Sequence, residues 1–440
     1  MPALALVVLV LFATAASPLD LLELVLDPNV ILALLIVNLL FLLYRIVVIL
    51  DAYRLSARAR MAWTRSAGPV STAVLAALIL GTTVIHGAIG YVGYRAYEAD
   101  RAILPDDNEK AGFVIPEPSW GPDATARTEP GESAPPPTRT AIPGPQWGAD
   151  GRLNLLLIGS DNGPGRWSLR TDTMMLLSVD VDTGRAALFG IPRNMVNVPL
   201  APESAGTFPC RCFPNLLNGL YVYAMAHPTQ FPGGDARGFR AVTGAIQELV
   251  GVRLDGMIGV SLNGFVGLVN AIGGLWIDIP HALYDSHYPL EDGSRDIVVS
   301  FKAGCQKLNG RYALAYARSR HQDSDYGRMA RQQLVVVALR QQLDPLKLLP
   351  QAADLLELAR DNLFTTLKRS EIAGLASMAR KVDPKRIKTF TFIPPKYSSY
   401  LSNSETATIR KVVRGVFDKA APALPSGTPK PTAKPETRCG

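Results

Sequence analysis

The sequence predicts an α/β domain, a mixed central β-sheet flanked by helices, preceded by N-terminal transmembrane helices. Three observations predict it. Short apolar runs of strand length alternate with helix-period segments over residues 149–419. Uncharged stretches of membrane-crossing length lie before residue 95. Between the two, residues 104–148 are too rich in proline to build a core and read as a semi-rigid spacer. Composition agrees: charged residues make up 19 % of the 440, below the roughly 25 % of soluble domains, which excludes a disordered polyelectrolyte. A net charge of +7 over this length also excludes a histone-like basic protein. Four cysteines are too few for a disulfide-built scaffold.

The membrane region is expected at 1–95, with two to three transmembrane helices. Residues 30–50 and 70–91 are each long enough to cross about 30 Å of hydrocarbon at about 1.5 Å per residue. The apolar start, residues 3–17 running into LDLLELVL, lacks the basic n-region of a signal peptide and reads as a third, retained helix. Arg54, Arg58, Arg60 and Arg65 follow the 30–50 stretch against Asp51 alone, whereas Asp20, Glu23 and Asp27 precede it without a cation. The positive-inside rule then places the arginine loop in the cytoplasm and everything beyond residue 95 outside the cell, with a linker at 96–148. Arg45 and His86 read as structural, Arg45 being close enough to a helix end to snorkel. Residues 420–440 read as a Pro-rich tail.

Within 149–419, Asn154–Ile158 is a buried strand ending in Gly-Ser-Asp. Met174–Asp180 and Arg185–Ile191 form a hairpin around Asp182-Thr-Gly184. Val242, Ile246, Leu249 and Val250 share one face of a helix over 238–250. A strand at Met257–Leu262 leads to a helix capped by Asn263 and closed at Gly273-Gly274, then to a strand at Leu275–Ile279. Helical patterns cover Asp325–Leu343, 352–368 and 370–381, and Ile387–Ile393 is a late strand.

Three charged clusters stand out. Asp161 and Asp172 (with Arg170 and Thr171) lie at the two ends of a glycine-rich loop, which can fold both carboxylates toward a Mg²⁺. Spacing alone is a weak signal, since Asp in such loops usually caps turns. Arg193 stands at the exit of an apolar strand, in Ile191-Pro-Arg193-Asn194. The third cluster is the densest. Arg318 and Arg320 alternate as on a strand, so that both point to one face. Arg328, Arg331 and Gln332 share a face of the next helix, with Gln333 beside them. Four arginines converging from a strand end and a helix start are costly unless they meet an anion, and guanidinium pairs bidentately with phosphate oxygens.

In this order the clusters resemble the LytR-CpsA-Psr family of cell-envelope phosphotransferases. The resemblance rests on LLLIGSD, RTDTMMLLSVD, IPRN, NLLNGLYVYA, VNAIGGLWIDIP, GCQKLNGRYALAYARSR and DSDYGRMARQQ, which span 153–345. It implies an enzyme that takes a glycopolymer from a polyprenyl-pyrophosphate carrier and attaches it through phosphate to peptidoglycan. Asp161 and Asp172 would bind Mg²⁺ (or Mn²⁺). Arg170, Arg193, Arg318, Arg320, Arg328 and Arg331, with Gln332 and Gln333, would bind pyrophosphate, and Arg193, Arg318, Arg320 and Asp172 would be catalytic. An apolar tunnel would take the lipid. This chain departs from the family where Asn194 replaces the usual Asp of IPRD, in an insertion at Phe208–Cys212, and in having more than one membrane segment.

The chemistry is consistent with such a transfer: phosphoryl transfer relies on positioning and charge neutralisation, which arginine and Mg²⁺ supply. Asp172 and Asp325 are both candidates to take the acceptor's proton. A hydrolase of the same lipid pyrophosphate is the alternative. A transcriptional regulator would require cytoplasmic basic clusters, and no nucleic-acid partner is expected. Removing Arg193 or Arg318 should leave stability unchanged or raise it, because clustered cations repel. In an oxidising exterior Cys305 is expected to pair with Cys210 or Cys212, since neighbours in C-x-C rarely bond each other.

Overall fold

The computed structural model describes residues 28–61, 69–103, 115–120, 151–160, 170–290, 294–320, 325–343 and 351–418. They fall into two compact units. The first comprises two long helices, α1 (Pro28–Met61) and α2 (Pro69–Ile103), grouped with the described residues of 351–360. Both helices are long and apolar enough to cross a membrane, over Asn29–Ser56 and Pro69–Ala99. Their outward apolar side chains, such as Leu40, Val47 and Leu80, are exposed, as lipid-facing residues are. The helices are joined by a buried polar link: the Asn38 amide donates to the His86 carbonyl at 2.9 Å, and its oxygen lies 2.7 Å from His86 Nδ1. Here His86 is a helix-packing residue, as its sequence context suggests. The expected first apolar segment, the 121–148 part of the linker and the tail lie outside the described residues.

The second unit is built on a six-stranded sheet. Its strands in chain order are β1 (Arg152–Ser160), β2 (Thr171–Asp180), β3 (Ala186–Gly190), then β4 (Val198–Pro199) and β5 (Cys212–Phe213), which form a separate small pair. There follow α3 (Leu220–Ala226), α4 (Arg237–Val250), β6 (Gly256–Ser261), α5 (Leu262–Ala271), β7 (Leu275–Ile279), β8 (Leu283–Pro289), β9 (Asp296–Phe301), β10 (Gly304–Leu308), α6 (Gly310–Arg318) and α7 (Asp325–Gln342). The chain ends in α8 (Ala352–Asn362), β11 (Leu363–Thr365), α9 (Arg369–Lys381), β12 (Lys388–Thr391) and α10 (Asn403–Arg414). Sheet order is β11-β6-β1-β2-β3-β12, with β1–β6 and β3–β12 parallel and the other neighbours antiparallel. The sheet is therefore mixed, as expected.

Side-chain alternation explains the layering. Leu156, Ile158 and Met174 of the sheet pack with Val242, Ile246 and Leu249 of α4 and with Ile409 and Val413 of α10. A second cluster, including Leu275, Ile277, Val299, Phe301, Tyr316 and Val335, joins the hairpins to α6 and α7. Register sets where chemistry can occur. Ser160, Thr171 and Ser261 are register partners, so the exits of β1 and β6 and the entry of β2 share one end of the sheet. β3, antiparallel to β2, leads out there too and delivers Arg193 three residues beyond its last residue. Crevices outside strand ends of this kind are where α/β sheets bind ligands.

Four local expectations change. Arg318 is the last residue of a helix, not part of a strand: Asn309 caps α6 by accepting from Tyr312 N at 3.0 Å, and Ser319 ends it. The 352–368 segment is a helix only to Asn362, after which β11 pairs with β6. Ser261, not Asn263, caps α5, its hydroxyl accepting from Gly264 N at 3.1 Å. Finally, Cys210 and Cys212 are bonded to each other, not to Cys305. The physical reason is Arg211, whose left-handed φ of 55° folds the C-x-C turn back and brings the two Cα atoms to 5.1 Å.

Candidate active site

A cavity of about 300 Å³ opens at this end of the sheet. One part of its wall is polar and carries Ser160, Asp172, Asp285, Tyr288, Arg318, Arg320, Arg328 and Gln332. The rest is apolar: Leu157, Met175, Ile258 and Val260 from the sheet, Phe265 and Leu268 from α5, Leu314 from α6, and Val335, Val336 and Leu339 from α7. The apolar share follows from the helix period, since α7 presents positions 328, 332, 335, 336 and 339 along one stripe.

Arg193 is not itself on the cavity wall; it joins Asp172, which is, to Asp325. Its Nη1 donates to Asp172 Oδ1 at 2.7 Å, while Nε and Nη2 donate to the two Asp325 oxygens at 3.1 and 3.4 Å. Asn218 adds a bond to Asp172 Oδ1 at 3.1 Å, and its backbone N–H donates to the Arg193 carbonyl at 3.0 Å. Burial by itself would raise the Asp172 carboxyl, but the charge and hydrogen bond of Arg193, with the Asn218 amide, hold it below the usual carboxylate range. For Arg193, burial acts downward, and the two carboxylates outweigh it and raise the guanidinium.

Arg328 is in a different position. It is 4 % exposed, and burial followed by repulsion from Arg193 lowers its pKa to about 10, with Asp325 and Asp172 opposing. Its guanidinium lies 3.7 Å from Asp325, yet its buried Nε has no hydrogen-bond partner among the described residues. The buried Ser160 hydroxyl on the same cavity wall likewise has none. A buried N–H donor without a protein acceptor is costly unless water or a ligand supplies one. Arg318 lies with its guanidinium 5.7 Å from the Tyr288 ring and donates to the Tyr288 hydroxyl at 3.3 Å. Arg320 is half exposed, 3.9 Å from Asp325. On the cavity wall itself, Arg318, Arg320 and Arg328 stand against Asp172 and Asp285, leaving an excess of positive charge.

The other residues named from the sequence are placed differently. Arg331 donates from Nε to the Tyr316 carbonyl at 2.9 Å and from Nη2 to the Ser319 carbonyl, and is not on the cavity wall. Gln333 faces the sheet, donating to the Phe390 carbonyl at 2.8 Å. Gln332, one residue earlier, lines the cavity. Arg170 is exposed and off the cavity wall. Asp161 lies outside the described residues. Asn194 is the divergent position, and its side-chain oxygen is buried without a hydrogen-bond partner among the described residues. No group of three or more His, Cys, Asp or Glu side chains among the described residues could hold a metal. Asp172 and the Ser160 hydroxyl are nevertheless oxygen donors of the type Mg²⁺ takes.

Asn218, Asp285 and Tyr288 are the residues that sequence reasoning missed. Asn218 sits inside the NLLNGLYVYA block, so the family resemblance was the available signal, while its bond to Asp172 is visible only in the structure. Asp285 and Tyr288 lie three apart in an ordinary strand pattern, which gives no signal.

The LytR_cpsA_psr family model matches residues 125–411. The chain belongs to the LytR-CpsA-Psr family. Among relatives it is 25 % identical over 259 residues to the polyisoprenyl-teichoic acid–peptidoglycan teichoic acid transferase TagV of Bacillus subtilis, covering 57 % of this chain and 60 % of that protein. It is 25 % identical over 224 residues to the biofilm regulatory protein A of Streptococcus mutans, covering 50 % of each. The chain therefore spans only half to three-fifths of these relatives' length. The crystal structure of B. subtilis TagV superposes with a TM-score of 0.43 at 22 % identity, over 60 % of this chain and 96 % of that one.

Proposed function

We propose that the protein is a membrane-anchored phosphotransferase that moves a glycopolymer, with its phosphate, from a polyprenyl-pyrophosphate carrier to peptidoglycan. The observation that carries this reading is the two-part cavity. An arginine-rich mouth with an unsatisfied buried Arg328 Nε suits a pyrophosphate, and the Leu/Val/Phe-lined remainder suits the polyprenyl chain next to it. Family membership supports it, as does TagV, a relative named as a transferase of this class.

Arg318, Arg320 and Arg328 hold the pyrophosphate, and Asp172 with Asp325 holds Arg193 in register beside it. An acceptor sugar hydroxyl then attacks the phosphorus that carries the glycopolymer and gives its proton to Asp172 or Asp325. A new P–O bond forms, the P–O bond to the carrier breaks, and polyprenyl phosphate leaves with the electron pair. Arg193 and its neighbours stabilise the charge that grows on the departing phosphate. Asp161 and Asp172 would hold Mg²⁺ or Mn²⁺, which supplies further charge neutralisation. Two transmembrane helices anchor the chain, with the cavity-bearing unit outside the cell where peptidoglycan lies. The cavity-bearing unit, which takes in most of the expected 149–419, is then the catalytic domain.

The experiment incubates the full chain in detergent with a synthetic lipid-linked glycopolymer donor and peptidoglycan oligomers. Polymer covalently attached to peptidoglycan, with release of polyprenyl phosphate, is the expected result. Free polymer phosphate with no attachment would instead identify a hydrolase.

A further inference from the structure

We propose that Asp285 is a positioning residue for the ligand-gripping arginines, fixing the turn that aims Arg318 and Arg320 into one cavity. The inference rests on the pyrophosphate reading above. In a regular strand, positions 285 and 288 would face opposite sides. In β8 they do not, because the pairing with β9 runs Asp285↔Val299 and then Tyr288↔Ile297, one residue too many. This bulge turns both side chains inward, and both are only 1 % exposed and line the cavity.

The two residues then grip the end of α6 from the same side. Tyr288 accepts from Arg318 at 3.3 Å. Asp285 Oδ2 accepts from the Ser319 hydroxyl at 2.5 Å and from the Arg320 backbone N–H at 3.3 Å, while Oδ1 accepts from the His287 N–H at 3.0 Å. Both carboxylate oxygens are therefore in use as acceptors, at the helix break between the two arginines. An amide offers only one oxygen, so Asp285→Asn must leave either the Arg320 or the His287 N–H without its acceptor.

The sign of the effect separates positioning from charge. Asp285 is an anion beside cations, so by electrostatics alone its neutralisation deepens the positive potential and tightens anion binding. Positioning requires the opposite. The test measures binding of geranylgeranyl pyrophosphate by the full chain in detergent, for the wild type, Asp285→Asn and Ser319→Ala, together with each thermal midpoint. Asp285→Asn should weaken binding by about tenfold, the scale of a charge-assisted hydrogen bond. Ser319→Ala, which alters no charge, should weaken it by about threefold. A merely structural role would lower the midpoint and the binding-competent fraction while leaving the Kd of that fraction unchanged. Unchanged or tighter Kd in folded Asp285→Asn overturns the proposal. If that variant does not fold, unchanged Kd in Ser319→Ala overturns it. Absence of binding by the wild type overturns the underlying pyrophosphate reading instead, and with it any role for Asp285 in that binding.

Discussion

Arg193 meets Asp172 on one side and Asp325 on the other, so it is a structural tie between them, and the proposed function also makes it a donor beside the reacting phosphate. Arg193→Ala should lower transfer by roughly 10²–10³, the usual cost of one charge-stabilising donor. Arg193→Lys should rescue poorly, because an ammonium cannot bridge two carboxylates as the planar fork does. The repulsion expected from sequence does not govern stability here. Removing Arg193 takes the nearest guanidinium from two part-buried carboxylates, so the variant should lose about 1–3 kcal/mol in denaturant unfolding. Repulsion does hold for Arg328, which burial and Arg193 push down to about 10. Arg328→Met should therefore raise the thermal midpoint of the unliganded protein while impairing transfer. The depressed Asp172 carboxyl sets an acid limb. Its stabilisation is fully present above the unfolded value near pH ~3.9 and is lost as pH falls through the lower folded value. Asp172→Asn should flatten thermal stability below about pH 4, and an unchanged acid limb would contradict the ion-pair assignment.

At the scale of elements, α6 is the piece whose placement matters most. A Cβ at Gly310 would come within 2.1 Å of the Val266 carbonyl, and the Gly310 N–H donates to Asn270 Oδ1 at 2.8 Å. Gly310→Ala should thus push α6 off α5, costing about 1–3 kcal/mol and disturbing Arg318 at its far end, readable as a joint fall in midpoint and transfer. Within α7 the face decides the outcome. Gln332→Ala should weaken transfer with little change in stability, whereas Gln333→Ala should lose stability by releasing the Phe390 carbonyl and leave transfer near normal. These elements also mark what is legible in sequence. β1 to β3 can be read because their apolar runs are bounded by turn residues, and α7 because its period extends over five turns. The end of α6 is misread because Tyr-Ala-Arg-Ser-Arg alternates with period two while Asn309, far upstream, caps a helix. β11 is hidden for a related reason: three residues carry no period of their own, and only pairing with β6 defines them. The site is legible as three clusters. Its selection within them, Gln332 over Gln333 and Arg328 over Arg331, depends on helix rotation against the sheet.

For the whole molecule, the proposed function makes the two apolar helices the membrane anchors of the cavity-bearing unit and brings a lipid-linked donor to it. A phosphatase reporter fused after residue 110 should be active and one fused after residue 60 silent; the reverse pattern would place the unit in the cytoplasm. The most direct measurement of the central claim is polymer transfer to peptidoglycan by the wild type, Arg318→Ala and Gln333→Ala, with thermal midpoints alongside. Arg318→Ala should retain its midpoint and lose roughly 10²–10³ in rate, while Gln333→Ala retains rate and loses midpoint. Folded Arg318→Ala that transfers at the wild-type rate would show that the arginine-lined cavity is not where the pyrophosphate is held.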